Sequence, residues 1–149
     1  MTACCLMLFT TMTNAEELTD TQKKLLKTFH DEFVLITPGK GDFPKSFEMG
    51  SAAANESPKH KVSFNYSFYV AKYEVPQNLW EAVTGSNPSR WKGARNSVEE
   101  LTFNDAQKFC KTVTDMMRKA KLIDQNQEIR LPSEAEWEYF ARAGTKTVY

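Results

Sequence analysis

The sequence predicts an α+β domain with short strands and much loop. Residues 102–120 and 130–145 place apolar side chains at helical spacing behind a capping residue, which indicates two amphipathic helices. Residues 33–75 instead contain short apolar or alternating runs separated by glycine, proline and asparagine, which is typical of strands and turns. A chain of 149 residues with both patterns is one domain or part of one.

The composition excludes several classes of partner. Lys+Arg and Asp+Glu both number 19, so the net charge is zero and nothing draws the chain generically to nucleic acid or to an anionic membrane. The aromatic share of 12% favours a packed globular domain over a disordered chain. We therefore expect no nucleic-acid partner. We also expect no membrane span, because the apolar run at 3–9 is too short to cross a bilayer.

Residues 1–15 are predicted to be a signal peptide. An apolar run from Ala3 to Phe9 precedes small residues that end at Ala15, where a signal peptidase would cleave. The run is too short to cross a bilayer, and it lacks the Lys or Arg that usually begins a leader. The expectation is export to the periplasm or the extracellular space. The alternative is an N-terminal segment that is frayed or buried in the fold.

Residues 16–32 are predicted to form an N-terminal helix. Thr19 can cap this helix, and Leu25, Leu26 and Phe29 give it an apolar stripe. A helix packed at the edge of the domain, or one acting as a spacer, is favoured over a helix that binds a partner.

The domain proper is placed at 33–149 and begins with short strands. The apolar run 33–36 predicts a buried strand, and 47–51 predicts a second strand broken at Gly50. Apolar and polar residues alternate along 60–75, which predicts two further strands with a bend between them.

A short helix and a turn-rich loop follow. Pro76 is suited to start the helix because it lacks the backbone N–H that a first turn leaves unpaired, and Gly85 is suited to end it. The loop 87–93 combines an aromatic side chain with two cations, so it is either a binding surface or a segment whose Trp91 covers the core. The candidate binding residues are Asn87, Ser89, Arg90 and Trp91.

Residues 102–120 predict the longest helix of the chain. Thr102 can cap it, and Asp105 can return the hydrogen bond. Cys110 lies inside the apolar pattern, which favours an inert buried thiol over a nucleophile. The predicted apolar seam comprises Phe103, Ala106, Cys110, Val113, Met117 and Ala120, widened by Phe109 and Met116.

Residues 130–145 predict a short helix that is marked at both ends. Ser133 can cap it and Glu136 can return the bond, while Glu134 places negative charge at the positive end of the helix dipole. Gly144 suits a left-handed stop. The face that we expect to dock on apolar structure comprises Trp137, Phe140 and Ala141.

Residue types and spacing assemble no active site. His30 and His60 have no metal-ligand neighbours at helical spacing, and no cysteine pair survives removal of the leader. The acids Glu134, Glu136 and Glu138 resemble a paired-carboxylate set, but capping and solvation explain the first two more simply. We predict no catalytic, cofactor-binding or metal-ligating residue in this chain.

Several motifs resemble, in the right order, those of the formylglycine-generating enzyme family, also called sulfatase-modifying factors. The order and the spacing agree from about Phe33 to Tyr149. The matching motifs are Phe47-x-Met49-Gly50-Ser51, Glu56-x-Pro58-x-His60-x-Val62, Phe68 to Val75, Asn87-Pro88-Ser89-x-Trp91-x-Gly93, Phe103 to Ala106 and Arg130 to Thr145. The signature residues of the last motif are Arg130, Ser133, Glu134, Glu136 and Trp137. This chain departs from the family pattern at Pro76, Ser97, Ser133 and Phe140.

The resemblance implies a C-type-lectin-like fold of which this chain is the first half. In the family, a second half carries calcium-binding loops and the cysteine pair that binds copper and oxidises a sulfatase cysteine to formylglycine. Cys110 matches neither of those cysteines. The missing half would leave roughly 400 Å² of apolar surface uncovered, or roughly 10 kcal/mol at about 25 cal/mol per Å². We therefore expect the chain alone to be inactive, and aggregated, molten or dependent on a partner.

Three functions remain open at this point. The first is a truncated domain of this family without activity of its own. The second is one half of a split oxidase, whose partner would be a complementary C-terminal half that holds the copper and the calcium. The third is a non-catalytic module that binds a peptide or protein ligand through the loop 87–93.

Overall fold

The computed structural model describes residues 17–51 and 57–145, and the predicted leader lies outside these ranges. The helices and strands are, in order, α1 Asp20–Asp31, β1 Phe33–Ile36, β2 Ser46–Met49, β3 His60–Ser63, β4 Phe68–Ala71, α2 Gln77–Thr84, α3 Phe103–Lys119 and α4 Glu134–Arg142. Helices combined with short antiparallel strands confirm the predicted α+β class.

The strands form two separate antiparallel ribbons. β1 pairs with β4, which sets Leu35 opposite Tyr69, and β2 pairs with β3, which sets Phe47 opposite Val62. β3 and β4 are neighbours in the sequence, but each pairs with an earlier strand. The left-handed φ of 89° at Gly50 ends β2 where the sequence predicted a break.

The β1–β4 ribbon is less buried than predicted. Ile36 is 2% exposed, but Val34 is 44% and Leu35 is 50% exposed. The prediction of a buried strand is therefore wrong for the middle of β1. A strand in a two-stranded ribbon has one neighbouring strand, and the packed core of the described residues covers only part of it.

The main core lies between α1, α2 and α3. The rings of Trp80 and Phe109 stack with their centroids 4.9 Å apart and their planes 9° apart. Helix α1 contributes Leu26 and Phe29 to this core, so it is part of the packed domain and not a spacer. The core residues are Leu26, Phe29, Leu79, Trp80, Phe109, Val113 and Met117.

The helix ends follow the predicted chemistry. Capping boxes form at Thr19 and at Thr102, where Asp105 returns the bond, and Gly85 ends α2 with a φ of 81°. The seam of α3 is shifted from its predicted position. Phe103, in the first turn, is 66% exposed, whereas Phe109 is buried at the centre of the stripe. Within the described ranges, no helix has the length and the apolar character needed to cross a membrane.

Candidate functional site

The segment from Arg130 to Gly144 is built around the capping box predicted at Ser133. The Oγ of Ser133 accepts from the N–H of Glu136 at 3.2 Å, and the N–H of Ser133 donates to Oε2 of Glu136 at 2.8 Å. The helix ends in left-handed backbone at Ala143 and Gly144. The signature segment is therefore a capped helix, as its sequence indicates.

The carboxylate of Glu136 is buried and fully engaged. Its oxygens accept two hydrogen bonds from Arg130, at 2.7 and 2.6 Å, and one from Oη of Tyr66 at 3.0 Å. The Arg130 guanidinium, followed by the bonds from Ser133 and Tyr66, lowers the pKa of Glu136 to about 2 despite its burial. A carboxylate with so low a pKa is a poor general base near neutral pH, because it holds too little affinity for a proton.

Glu138 fastens α4 to the end of β2. Its Oε1 accepts from the N–H of Gly50 at 2.9 Å, and also from Nε and Nη2 of Arg142 at 2.8 and 2.6 Å. No local sequence pattern indicates this role, because Gly50 lies 88 residues earlier in the chain. The two inward-facing carboxylates of α4, those of Glu136 and Glu138, therefore make hydrogen bonds that hold the fold together.

Tyr139 is the aromatic anchor of α4. It is 2% exposed, and its Oη donates to the carbonyl oxygen of Pro44 at 2.6 Å. Its ring centroid lies 5.1 to 5.7 Å from three phenylalanine rings of the strand region, and these are Phe43, Phe47 and Phe64. The helix therefore packs Tyr139 against a cluster of partly buried aromatic rings beside the ribbon of β2 and β3.

The face of α4 predicted to be buried is the wrong one. Trp137 is 47% exposed and Ala141 is exposed, while Phe140 is partly buried. The helix turns Glu136 and Tyr139 inward instead, because these side chains find hydrogen-bond partners there. Glu136 and Tyr139 lie three residues apart, so the sequence places them on the same face of the helix. That face was not predicted to be buried because Glu136 is charged.

The loop 87–93 is built on Gln77, which is 1% exposed. The Oε1 of Gln77 accepts from Nδ2 of Asn87 at 3.0 Å and from the N–H of Gly93 at 3.1 Å. Its Nε2 donates to the carbonyl oxygens of Trp91 at 2.9 Å and Ser97 at 3.2 Å. One buried amide therefore fixes both arms of the loop.

The four residues singled out in this loop divide into two pairs. Asn87 and Ser89 serve the loop itself, since Oγ of Ser89, which is 2% exposed, accepts from the N–H of Glu99 at 3.1 Å. Arg90 and Trp91 face outward, with the guanidinium 5.2 Å from the ring centroid and Trp91 67% exposed. Trp91 thus does not cover the core.

The β1–β4 ribbon presents a second exposed surface. Leu35 and Tyr69 lie opposite each other and are 50% and 59% exposed. The N–H of Lys72 donates to the carbonyl oxygen of Glu32, which makes these two residues a hydrogen-bonded pair. Hydrogen-bonded and non-hydrogen-bonded pairs alternate along an antiparallel ladder, so Leu35 and Tyr69 form a non-hydrogen-bonded pair. Their backbone N–H and C=O groups therefore point away from the partner strand. From the residues the structure describes, no strand pairs with either outer edge.

The described residues do not fit a copper site. Cys110 is the one cysteine among residues 17–51 and 57–145, and burial raises the pKa of its thiol. Copper(I) in a site of this kind needs soft thiolate ligands, which a single half-buried thiol does not supply. The same ranges contain no group of three or more His, Cys, Asp or Glu side chains arranged to hold a metal ion.

Comparison with known proteins identifies the family. The model of the sulfatase-modifying factor enzyme 1-like domain matches residues 18–149. The chain is also similar to the chaperone protein LppX of Paenibacillus barcinonensis, with 34% identity over 145 residues, covering 80% of this chain and 48% of that protein. It thus spans about half the length of this curated relative, and no solved structure matches it. Since the family match covers most of its length and includes the signature segment from Arg130 to Gly144, the chain belongs to the sulfatase-modifying factor family.

Proposed function

We propose that this chain is a polypeptide-binding module that has no oxidase activity of its own. The observation that carries the proposal is the exposed β1–β4 ribbon, with Leu35 opposite Tyr69 and their backbone groups directed outward. An extended segment of another polypeptide can add to such an edge through main-chain hydrogen bonds. The apolar side chains beside the edge supply the contact area.

Two further observations support this function. One relative bears the name of a chaperone, which agrees with a polypeptide-binding role. The thiol of Cys110 is half-buried with a raised pKa, which does not suit the thiolate chemistry of the family's oxidation. We propose that this chain alone binds neither copper nor calcium.

The ribbon can be tested with the full chain and reduced insulin, whose B chain aggregates and scatters light. The wild type should suppress scattering, and Leu35→Lys combined with Tyr69→Lys should do so several-fold less well, because edge lysines oppose strand addition. Phe103→Lys is the matched control, since Phe103 is 66% exposed and lies off the ribbon. Equal suppression by a folded double variant would reject the ribbon as the binding surface.

A second candidate, one half of a split oxidase, is favoured by the open side of α4. Trp137 is 47% exposed on a helix whose opposite side is anchored through Tyr139. A complementary half carrying the cysteine pair would pack there and complete a C-type-lectin-like fold.

Supplying a C-terminal half as a separate polypeptide distinguishes the two candidate functions. The chain is mixed with a polypeptide that carries the C-terminal half of a family domain, copper(I), oxygen and a cysteine-containing sulfatase peptide. Formylglycine that mass spectrometry detects only in the mixture favours the split oxidase, and none in any mixture favours the binding module. Formylglycine made by this chain alone would overturn both.

The proposed place of action is outside the cytoplasm. The apolar run at 3–9 and the small residues up to Ala15 motivate this proposal. N-terminal sequencing of the exported protein should begin at Glu16, and retention of residues 1–15 on the mature protein would contradict it.

A further inference from the structure

We propose that the loop around Trp91 is a docking site for an acidic segment of another polypeptide. Between Glu81 and Glu99 the chain carries three cations and no acidic residue. Trp91 lies among these cations, which are Arg90, Lys92 and Arg95. The site is separate from the β1–β4 ribbon, and its argument does not depend on the ribbon.

The backbone of Trp91 is held on both sides while its ring is exposed. Its N–H donates to Oε1 of Glu99 at 2.8 Å, and its carbonyl oxygen accepts from Nε2 of Gln77 at 2.9 Å. The ring itself is 67% exposed. A large ring presented on a fixed backbone loses little conformational entropy on binding, and tryptophan is enriched at positions that dominate binding energy.

The charges around the ring are available for a ligand. In the described part of the chain, neither Arg90 nor Lys92 forms an ion pair. Glu99, the first acidic residue after the loop in the sequence, accepts from the backbone N–H of Trp91 instead of pairing with either cation. Lys92 does donate to the carbonyl oxygen of Asn87 at 2.7 Å, which holds its ammonium beside the loop.

A second pairing of a cation with an aromatic ring follows the loop. The guanidinium of Arg95 lies 5.9 Å from the ring centroid of Tyr73, which is 51% exposed, while its Nη2 is paired with Glu32 at 2.7 Å. Arg95 is therefore partly neutralised, and we place the strongest attraction for a carboxylate at Arg90. A guanidinium can bind a carboxylate through two parallel hydrogen bonds, and the stacked ring offers an apolar surface to the next side chain.

These features fit a peptide better than a nucleic acid. The chain has zero net charge, the loop carries two cations, and the third cation, Arg95, is paired with Glu32. Binding to a phosphate backbone draws its affinity from many simultaneous cation contacts, which this loop does not provide. The ligand expected here carries one or two Asp or Glu carboxylates next to an aromatic or aliphatic side chain.

The test measures binding of a fluorescent synthetic peptide that alternates glutamate and tyrosine to the full chain by anisotropy. Wild type should bind it about tenfold more tightly than the matched glutamine–tyrosine peptide, a difference of about 1.4 kcal/mol. Trp91→Ala should weaken binding about tenfold, and Arg90→Glu combined with Lys92→Glu should abolish it. Lys24→Glu combined with Lys108→Glu makes the same charge change at exposed sites on α1 and α3 and should leave binding unchanged.

Three results would overturn the proposal. These are equal affinity for the two peptides, an equal loss in the α1–α3 control, and equally effective competition by single-stranded DNA, which would indicate a general polyanion surface. Circular dichroism and thermal melting establish that each variant is folded. The ribbon variant Leu35→Lys with Tyr69→Lys should not weaken peptide binding, so failure of either proposal is visible without the other.

Discussion

Arg130 and Glu136 form a two-pronged ion pair, with Nη1 2.7 Å from Oε2 and Nη2 2.6 Å from Oε1. Glu136 is 2% exposed and the Arg130 side chain is 48% exposed, so the pair spans the boundary between interior and solvent. Tyr66 and Ser133 complete the bonding of the carboxylate. One buried charge therefore ties the N-terminus of α4 both to the segment before it and to the bend between β3 and β4.

Removing Arg130 should destabilise the fold, because the buried carboxylate of Glu136 then lacks its positively charged partner. We expect Arg130→Ala to lower the free energy of unfolding by about 2 kcal/mol, because it removes charge-assisted hydrogen bonds from a buried carboxylate. Water reaches the half-exposed site and limits the loss. Urea unfolding followed by circular dichroism measures it. Arg90→Ala removes an exposed arginine and should change stability by less than about 0.5 kcal/mol, and equal effects would contradict the assignment.

The same carboxylate predicts an acid-sensitive stability. The pKa of Glu136 falls from 4.5 to about 2 on folding, chiefly because of Arg130, so the unfolded chain binds its proton first as pH falls. The stabilisation is fully present above pH 4.5 and is lost as pH falls toward 2. At about 1.4 kcal/mol per pKa unit, the whole contribution is roughly 3 kcal/mol.

The matched variant for this prediction is Glu136→Gln. It should be less stable than the wild type at pH 7, and the difference should shrink between pH 4.5 and pH 2, the window set by the pKa shift. Thermal melts across that window measure the difference. A gap between the two proteins that stays constant with pH would show that Glu136 is not the titrating group.

The hydrogen bond to Gly50 predicts a local change in backbone protection. Glu138→Gln should weaken the acceptor of the Gly50 N–H and remove the ion pair with Arg142, which frees the end of β2 from α4. Hydrogen exchange should then be faster at the Gly50 amide. Glu134→Gln, on the exposed side of the same helix, should leave that amide unchanged. Unchanged protection in Glu138→Gln would show that the bond does not hold the strand.

The helix ends were predictable because their chemistry is local. The pairs Thr102 with Asp105 and Ser133 with Glu136 lie three residues apart, so a short window of sequence contains both partners of each capping box. The α+β class follows from the same local patterns of spacing. Gly85 likewise marked the end of α2.

The orientation of α4 could not be predicted in that way. Glu136 meets Tyr66 across 70 residues and Glu138 meets Gly50 across 88, so no local pattern shows that these acids face inward. Charged side chains are normally exposed, which made Trp137 the natural choice for the buried face. The partners that make burial of the acids favourable become visible only in the fold.

The roles of the residues in the loop 87–93 were only partly predictable from the sequence. Its composition indicated Arg90 and Trp91 correctly as surface residues to consider, but it did not separate them from Asn87 and Ser89, which hold the loop together. Gln77 was missed entirely. A glutamine at the start of a helix is ordinarily a surface residue, and only the convergence of four loop groups on its amide shows its role.

At Gly144 the end of α4 lies against the backbone of Asp42, in the loop before β2. A Cβ placed on Gly144, where φ is 81°, would collide with the backbone carbonyl oxygen of Asp42, whereas a Cβ on Gly85, at the same φ, would meet open space. Gly85→Ala should therefore cost about 1 kcal/mol, the penalty of a left-handed backbone alone. Gly144→Ala should cost about 2 kcal/mol more, because backbone must move to relieve the collision. Denaturant unfolding of the two variants measures the difference, and equal losses would mean that the end of α4 does not lie against Asp42.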